Sequence, residues 1–394
     1  MPPARPQPFI PSLSQALACV VLLGNSWMAP MVGPALGASL LRSSIERPAD
    51  VSRQPCGWVP GWVIPRTSAE RQIHSATFLV LAAKLPQVVP PRVWKVPSAP
   101  ANAVAFRPDG KQLVTGLGDN TSLVWDVATG KPVLTLKGHS GPVRAAVFSP
   151  KGESIATTSD DGTVRVWEAS TGTAKLKLVG SGAGFQTVAF SPDGSRLAAG
   201  GSDQSVTVWE LPTGKQLATL TGARGAIGSV AFSPKGQRLA AGAGDTVRQF
   251  AEVLEWDLEQ GTLRRQWRTD GTSLMGVAYS PDGRRLATAG GDPAAKRAEL
   301  KLWEVETGRE VLSLAGHTDL LLAVAFSPDG RRLASAGRDG RLKIWNVATG
   351  KVEHTLGNPG TWITSLAFHP DGSQIATTRL DQSLHLESLG LSSE

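Results

Sequence analysis

One six-residue phrase returns seven times along this chain and leaves little freedom in how it folds. It reads AFRPDG at 105–110, VFSPKG at 147–152, AFSPDG at 189–194, AFSPKG at 231–236, AYSPDG at 278–283, AFSPDG at 325–330 and AFHPDG at 367–372. Its aromatic residue advances in steps of 42, 42, 42, 47, 47 and 42, through Phe106, Phe148, Phe190, Phe232, Tyr279, Phe326 and Phe368. An interlocked series follows at Trp125, Trp167, Trp209, Trp256, Trp303 and Trp345. A unit this short cannot cover its own apolar faces, so copies must stack on one another.

Within each unit the pattern is that of strands. In the second, VRAAVF precedes the SPKG turn, SIATTS precedes the DDG turn, and TVRVWE precedes a TG turn and KLKLV. Runs of four to six residues rich in Val, Leu and Thr, bounded by Gly, Pro and Asp, are half-buried strands and not helices. The 43 glycines suit an architecture with many tight turns. Four strands in about 42 residues is the measure of one propeller blade, for which about 40–45 is usual.

From about residue 92 to 387 the chain resembles the WD40-repeat family. The resemblance implies an all-β, seven-bladed propeller of four-stranded antiparallel blades. Two regions are expected: an irregular N-terminal extension over 1–85 and the propeller over 86–394, with repeats from about 103 to 387. The resemblance also implies a hydrogen-bonded set in each blade that ties loop to strand. By motif position the second blade has it complete as His139, Ser159, Asp161 and Trp167. Partial sets follow: Asp119 with Trp125, Asp203 with Trp209, His317 with Asp339 and Trp345, and Asp381 alone. Gly337 stands where a serine is expected in blade 6, and Glu387 where blade 7 would have its tryptophan. Elsewhere Ser181 and Ala223 replace the histidine. The recurrence of this Asp-His-Ser set in degraded form marks a structural staple, not a nucleophilic triad.

Too little chain follows residue 387 for a fourth strand, and an open ring would leave edges unpaired. PRVWKV at 91–96 falls where a fourth strand belongs, so Arg92–Val96 is expected to pair with Ser383–Glu387 and close the ring. Blades 4 and 5 each carry five extra residues, since Asp245 to Trp256 and Asp292 to Trp303 span 11 positions instead of 6. The added segments (247–253 and 293–299) are read as turns forming a raised lip, with Arg248, Phe250, Lys296 and Arg297 open to a partner. Tolerated surface extensions inherited by duplication are the competing reading. Residues just before the turn Asp are the other candidate contacts: Asp160, Ser202, Arg338 and Leu380.

Function classes narrow from here. Residues 1–100 hold 9 basic and 3 acidic side chains, a balance of +6; the remaining 31 and 30 leave +1. So neutral a propeller is a poor phosphate-neutralising surface, and no nucleic acid is expected. Both cysteines, Cys19 and Cys56, precede the repeats, and the six histidines form no HxH or HxxxH pair. No metal, cofactor or catalytic group is therefore expected. The resemblance implies a noncatalytic scaffold, a monomeric ring that binds proteins or peptides; the alternatives are an exported or envelope-associated propeller with a structural or assembly role and, less favoured, a propeller enzyme with its site at the channel mouth. Within the extension, residues 6–41 lack charge and include ALACVVLLG at 16–24. Three readings stand open for it: a secretory signal, a membrane anchor, and a disordered or normally absent stretch. Location follows from which holds, so cytoplasmic and exported placements both remain, and membrane contact is expected only through 6–41.

Overall fold

The computed structural model describes residues 90–180 and 183–389. The readings of the N-terminal extension, including 6–41, and of Ser181 lie outside the described residues. The expected architecture is found: seven four-stranded antiparallel sheets, six running in sequence order from an inner to an outer strand and the seventh taking its outer strand from the N-terminal side of the ring. The inner strands are Ala101–Phe106, Val143–Phe148, Phe185–Phe190, Ala226–Phe232, Ser273–Tyr279, Leu321–Phe326 and Ile363–Phe368. Each packs against the next, and the seventh packs against the first, so the sheets encircle an axis.

Burial explains why the repeats need one another. Val114, Val124 and Leu136 of blade 1 form one apolar cluster with Ala146, Phe148, Ile155 and Trp167 of blade 2. Ala198, Val206, Val208 and Leu220 of blade 3 do the same with Ile227, Leu239, Leu254 and Trp256 of blade 4. Trp125, Trp209, Trp256 and Trp345 are among the largest fully buried side chains. Truncating any of them to alanine costs about 3–5 kcal/mol. Hydroxyls stitch some inner strands together, as Ser365 accepts from the Val104 amide, Thr187 from Val230 and Ser229 from Val277.

Closure occurs where it was expected. The strand Arg92–Lys95 lies antiparallel on Ser383–Ser388, with Arg92 opposite Leu386 and Lys95 opposite Ser383. The Val96 amide extends the ladder to the Gln382 carbonyl. Trp94 stacks on Trp125 of blade 1 at 6.1 Å, and the Arg92 guanidinium sits over Trp94. Gly130 makes that seat possible: its φ is +71°, and a Cβ there would lie 2.4 Å from the Trp94 Nε1. His369, in place of the usual serine of the repeated phrase, meets Phe106 edge-on at 5.0 Å across the same seam.

Candidate functional site

In blade 2 the staple is a continuous chain of hydrogen bonds. Trp167 Nε1–H donates to Thr157 Oγ1 at 2.8 Å, and that hydroxyl donates to His139 Nε2 at 2.8 Å. His139 Nδ1–H then donates to Asp161 Oδ2 at 2.9 Å. The same carboxylate accepts the Ser140 amide of the incoming loop and the Thr163 hydroxyl of the outgoing strand. Burial pushes the His139 pKa down, which suits a neutral ring with both nitrogens occupied. Burial acts to raise Asp161, but the bonds from Thr163, Ser140 and His139 outweigh it and hold the carboxyl down to about 2.

The hydroxyl in this chain corrects the sequence reading. Thr157 fills the place given to Ser159. Side chains two apart share one face of a strand, but the Trp167 indole reaches only to Thr157. Ser159 ends its strand instead, donating to the Gly141 carbonyl and accepting the Asp161 amide. Blade 6 is corrected in the same way. Ser335, not the Gly337 position, accepts from Trp345 Nε1 and bonds His317, whose Nδ1 lies 2.7 Å from Asp339. Blade 6 therefore carries a complete staple.

Elsewhere the set is partial. Trp125 Nε1 bonds Thr115, Asp119 caps Thr121, and Asp203 caps Ser205 below Trp209. In blade 7 Asp381 accepts the Ser383 amide. Glu387, in the tryptophan's place, lies 3.7 Å from the Arg379 guanidinium.

Blades 4 and 5 solve the problem differently. Their extra residues do not form loops, which revises the expected lip. They lengthen the paired strands Arg238–Asp245 with Phe250–Asp257 and Arg285–Asp292 with Arg297–Glu304. The ladders run out to Asp245 opposite Phe250 and Asp292 opposite Arg297, leaving four-residue turns. Neither blade has the His–Asp pair. Instead fully buried Glu252 reaches back to the incoming loop: Oε1 accepts the Arg224 amide at 2.8 Å, and Oε2 pairs with the Arg224 guanidinium at 3.0 Å. Gln266 donates to the same oxygen at 2.9 Å. Arg224 stands one blade-repeat pair beyond Ser140, so Glu252 performs the task of Asp161 from a different strand position. Glu299 holds the matching place in blade 5 and accepts the Asp270 amide at 3.4 Å. Burial raises its pKa, an effect that neighbouring Lys301 opposes.

Sequence reasoning missed both glutamates, although a signal exists. Four residues before the Trp position, the other blades carry Thr121, Thr163, Ser205, Arg341 and Ser383; only the two long blades carry Glu.

The proposed contact residues fall into two groups. Asp160, Ser202, Arg338 and Leu380 occupy one register position, each amide bonding the residue just ahead of an inner strand: Pro142, Gly184, Leu320 and Trp362. Asp160 is already engaged by a bidentate Arg144 and by Gln186 of blade 3. Arg338 lies 4.4 Å over the ring of Trp362. Trp362 is 38% exposed and Leu380 46% exposed, and their backbones are bonded to each other. Trp362 was not singled out from the sequence. Its signal is that the same slot holds Pro100, Pro142, Gly184, Ala226, Ser273 and Leu320 elsewhere. On the long hairpins, Arg248, Lys296 and Arg297 are exposed, whereas Phe250 is half-buried beneath Arg224 and Arg268.

Among the described residues no three His, Cys, Asp or Glu side chains converge on a point that holds a metal ion. A comparison with curated proteins gave no match. The sequence profile of the WD domain, G-beta repeat matches residues 90–126, 130–168, 173–210, 214–250, 308–346 and 350–386. These stretches break off at 250 and resume at 308, across the elongated hairpins. They cover more than half of the chain, and with seven four-stranded blades closed into a ring they place it: this protein belongs to the WD40-repeat family.

Proposed function

We propose that this propeller is a noncatalytic, monomeric platform that holds a protein or peptide partner at the blade 6–7 sector of its face. Propellers of this family commonly serve as protein-interaction scaffolds. One observation carries the reading: an exposed tryptophan, stacked by an arginine and flanked by an exposed leucine, at a slot where other blades have smaller or aliphatic residues. Trp and Arg supply most of the binding energy at protein interfaces when they sit in such clusters. The stack fixes the Arg338 guanidinium before a partner arrives, which lowers the entropy lost on binding. His139 and Asp161 fit the same account, because their polar atoms are occupied in holding loops still.

The test is site-specific photo-crosslinking in the cells that make the protein. A photoreactive amino acid placed at Leu380 should give discrete adducts, and one at the exposed Val133 of an outer strand should not. Trp362→Ala should abolish the adducts while leaving the melting temperature unchanged. Equal adducts from both positions, or adducts indifferent to Trp362→Ala, would refute the assignment.

A further inference from the structure

The two long hairpins carry a second surface, separate from the Trp362 sector. Its cations form a connected ridge. Arg248 Nη1 donates to the Arg224 carbonyl at 3.3 Å. The guanidinium groups of Arg224 and Arg268 both lie over the Phe250 ring, at 5.5 and 5.9 Å. Two residues beyond Arg268, the Asp270 carbonyl accepts from Arg297 Nη2 at 2.6 Å, and Lys296 stands at the tip beside it. The ridge therefore runs from one hairpin across the inter-blade loop to the other.

Where the anions go matters most. Glu252 and Glu299 are buried below the ridge, and Glu252 is matched by Arg224. Asp270 is engaged by Lys301, and Asp245 lies 3.6 Å from Arg248. Among the described residues, no carboxylate lies within ion-pair distance of Arg268, Lys296 or Arg297. Val247, 90% exposed at the tip of the blade 4 hairpin, adds one apolar contact. The paired strands and the buried Glu252 hold these groups in place, unlike charges on a loose loop.

We infer that this ridge docks an acidic, extended segment of a partner protein. Charge complementarity selects the sign of the partner. Nucleic acid fits less well, because the only ridge aromatic, Phe250, is covered by arginines and offers no face for base stacking. The surrounding propeller is also near neutral, with 31 basic and 30 acidic residues over 101–394.

The experiment is fluorescence anisotropy with the full chain and a labelled peptide of about ten residues, rich in Glu with one Leu, at physiological salt. Saturable binding is expected. The variant Arg248→Gln/Arg268→Gln/Lys296→Gln/Arg297→Gln should weaken it about tenfold or more. A control removing the same number of exposed charges elsewhere, Lys151→Gln/Arg284→Gln/Arg331→Gln/Lys351→Gln, should change it less than about twofold. Should the first variant fail to fold, Arg248→Gln/Lys296→Gln at the two tips gives a smaller loss in the same direction. Trp362→Ala should leave peptide binding intact, which separates this surface from the blade 6–7 sector. Absence of saturable binding, equal loss in ridge and control variants, or tighter binding of a single-stranded oligonucleotide of similar length would overturn the proposal.

Discussion

Blades 2 and 6 and blades 4 and 5 meet one requirement by different means. Each must fix the loop that enters the blade to the hairpin that faces it, and does so by giving an amide of that loop a carboxylate acceptor. In blades 2 and 6 the acceptor is an aspartate in a tight turn, Asp161 or Asp339, backed by a histidine. Lengthening the hairpin by five residues moves the turn away from the loop. A short turn side chain can then no longer serve. Glu252 replaces it from within the strand, with a longer side chain pointing back at the same loop. The lesson is that a blade keeps the loop-to-hairpin bond and not the residue. Once the bond is secured from the strand, the hairpin tip is free to project and to carry charge.

This comparison can be broken by substitution, and the largest effect belongs to the turn aspartate. Asp161→Ala strips acceptors from buried His139, the Ser140 amide and Thr163 at once, and should cost about 3 kcal/mol in denaturant unfolding. Glu252→Ala should cost less, about 2 kcal/mol, since the half-exposed Arg224 guanidinium regains water. A loss below about 0.5 kcal/mol for Glu252→Ala would mean that the long blades are not tied this way.

The acid response sharpens the same contrast. Asp161 is held down to about 2 in the folded ring and titrates near 3.9 when unfolded. Its contribution is therefore complete above about pH 4 and is lost as pH falls toward 2. That amounts to about 2 kcal/mol, and Asp161→Asn should remove this part of the pH dependence. His139, whose pKa burial lowers, works in the same direction: the unfolded chain takes up its proton first below about pH 6.5. Stability as a function of pH, measured for both proteins, should show two curves that converge near pH 2. Parallel curves would contradict the assignment.

The smallest effect separates neighbouring hydroxyls. Thr157→Ala should cost about 1.5–2 kcal/mol, because both Trp167 Nε1 and His139 Nε2 lose their partner. Ser159→Ala should cost about 1 kcal/mol or less. The reverse order in chemical melts would restore the serine to the staple.

How much of this was legible depends on what the period encodes. The count of blades follows from the spacing, the strands from the apolar runs between Gly, Pro and Asp turns, and the closing strand from the fourth strand that the last repeat lacks, because every copy must present the same apolar face to its neighbour. The staple was legible to within two residues along a strand. Thr157 and Ser159 project from the same face, and only the reach of the Trp167 indole distinguishes them. Glu252 was not read, because the expected acidic residue is sought in the turn and Asp245 stands there. Trp362 escaped for the opposite reason: an isolated aromatic has no period to expose it, and its meaning lies in being uncovered next to Arg338.

Amide hydrogen exchange offers the most direct check on the idea that the bond outlives the residue. The amides of Ser140, Thr318 and Arg224 should all be protected, since Asp161, Asp339 and Glu252 accept from them in turn. Glu252→Ala should release Arg224 alone, and Asp161→Ala should release Ser140 alone. An Arg224 amide that exchanges at the rate of an open loop in the unmodified protein, while Ser140 and Thr318 stay protected, would show that the long hairpins are not tied down at all.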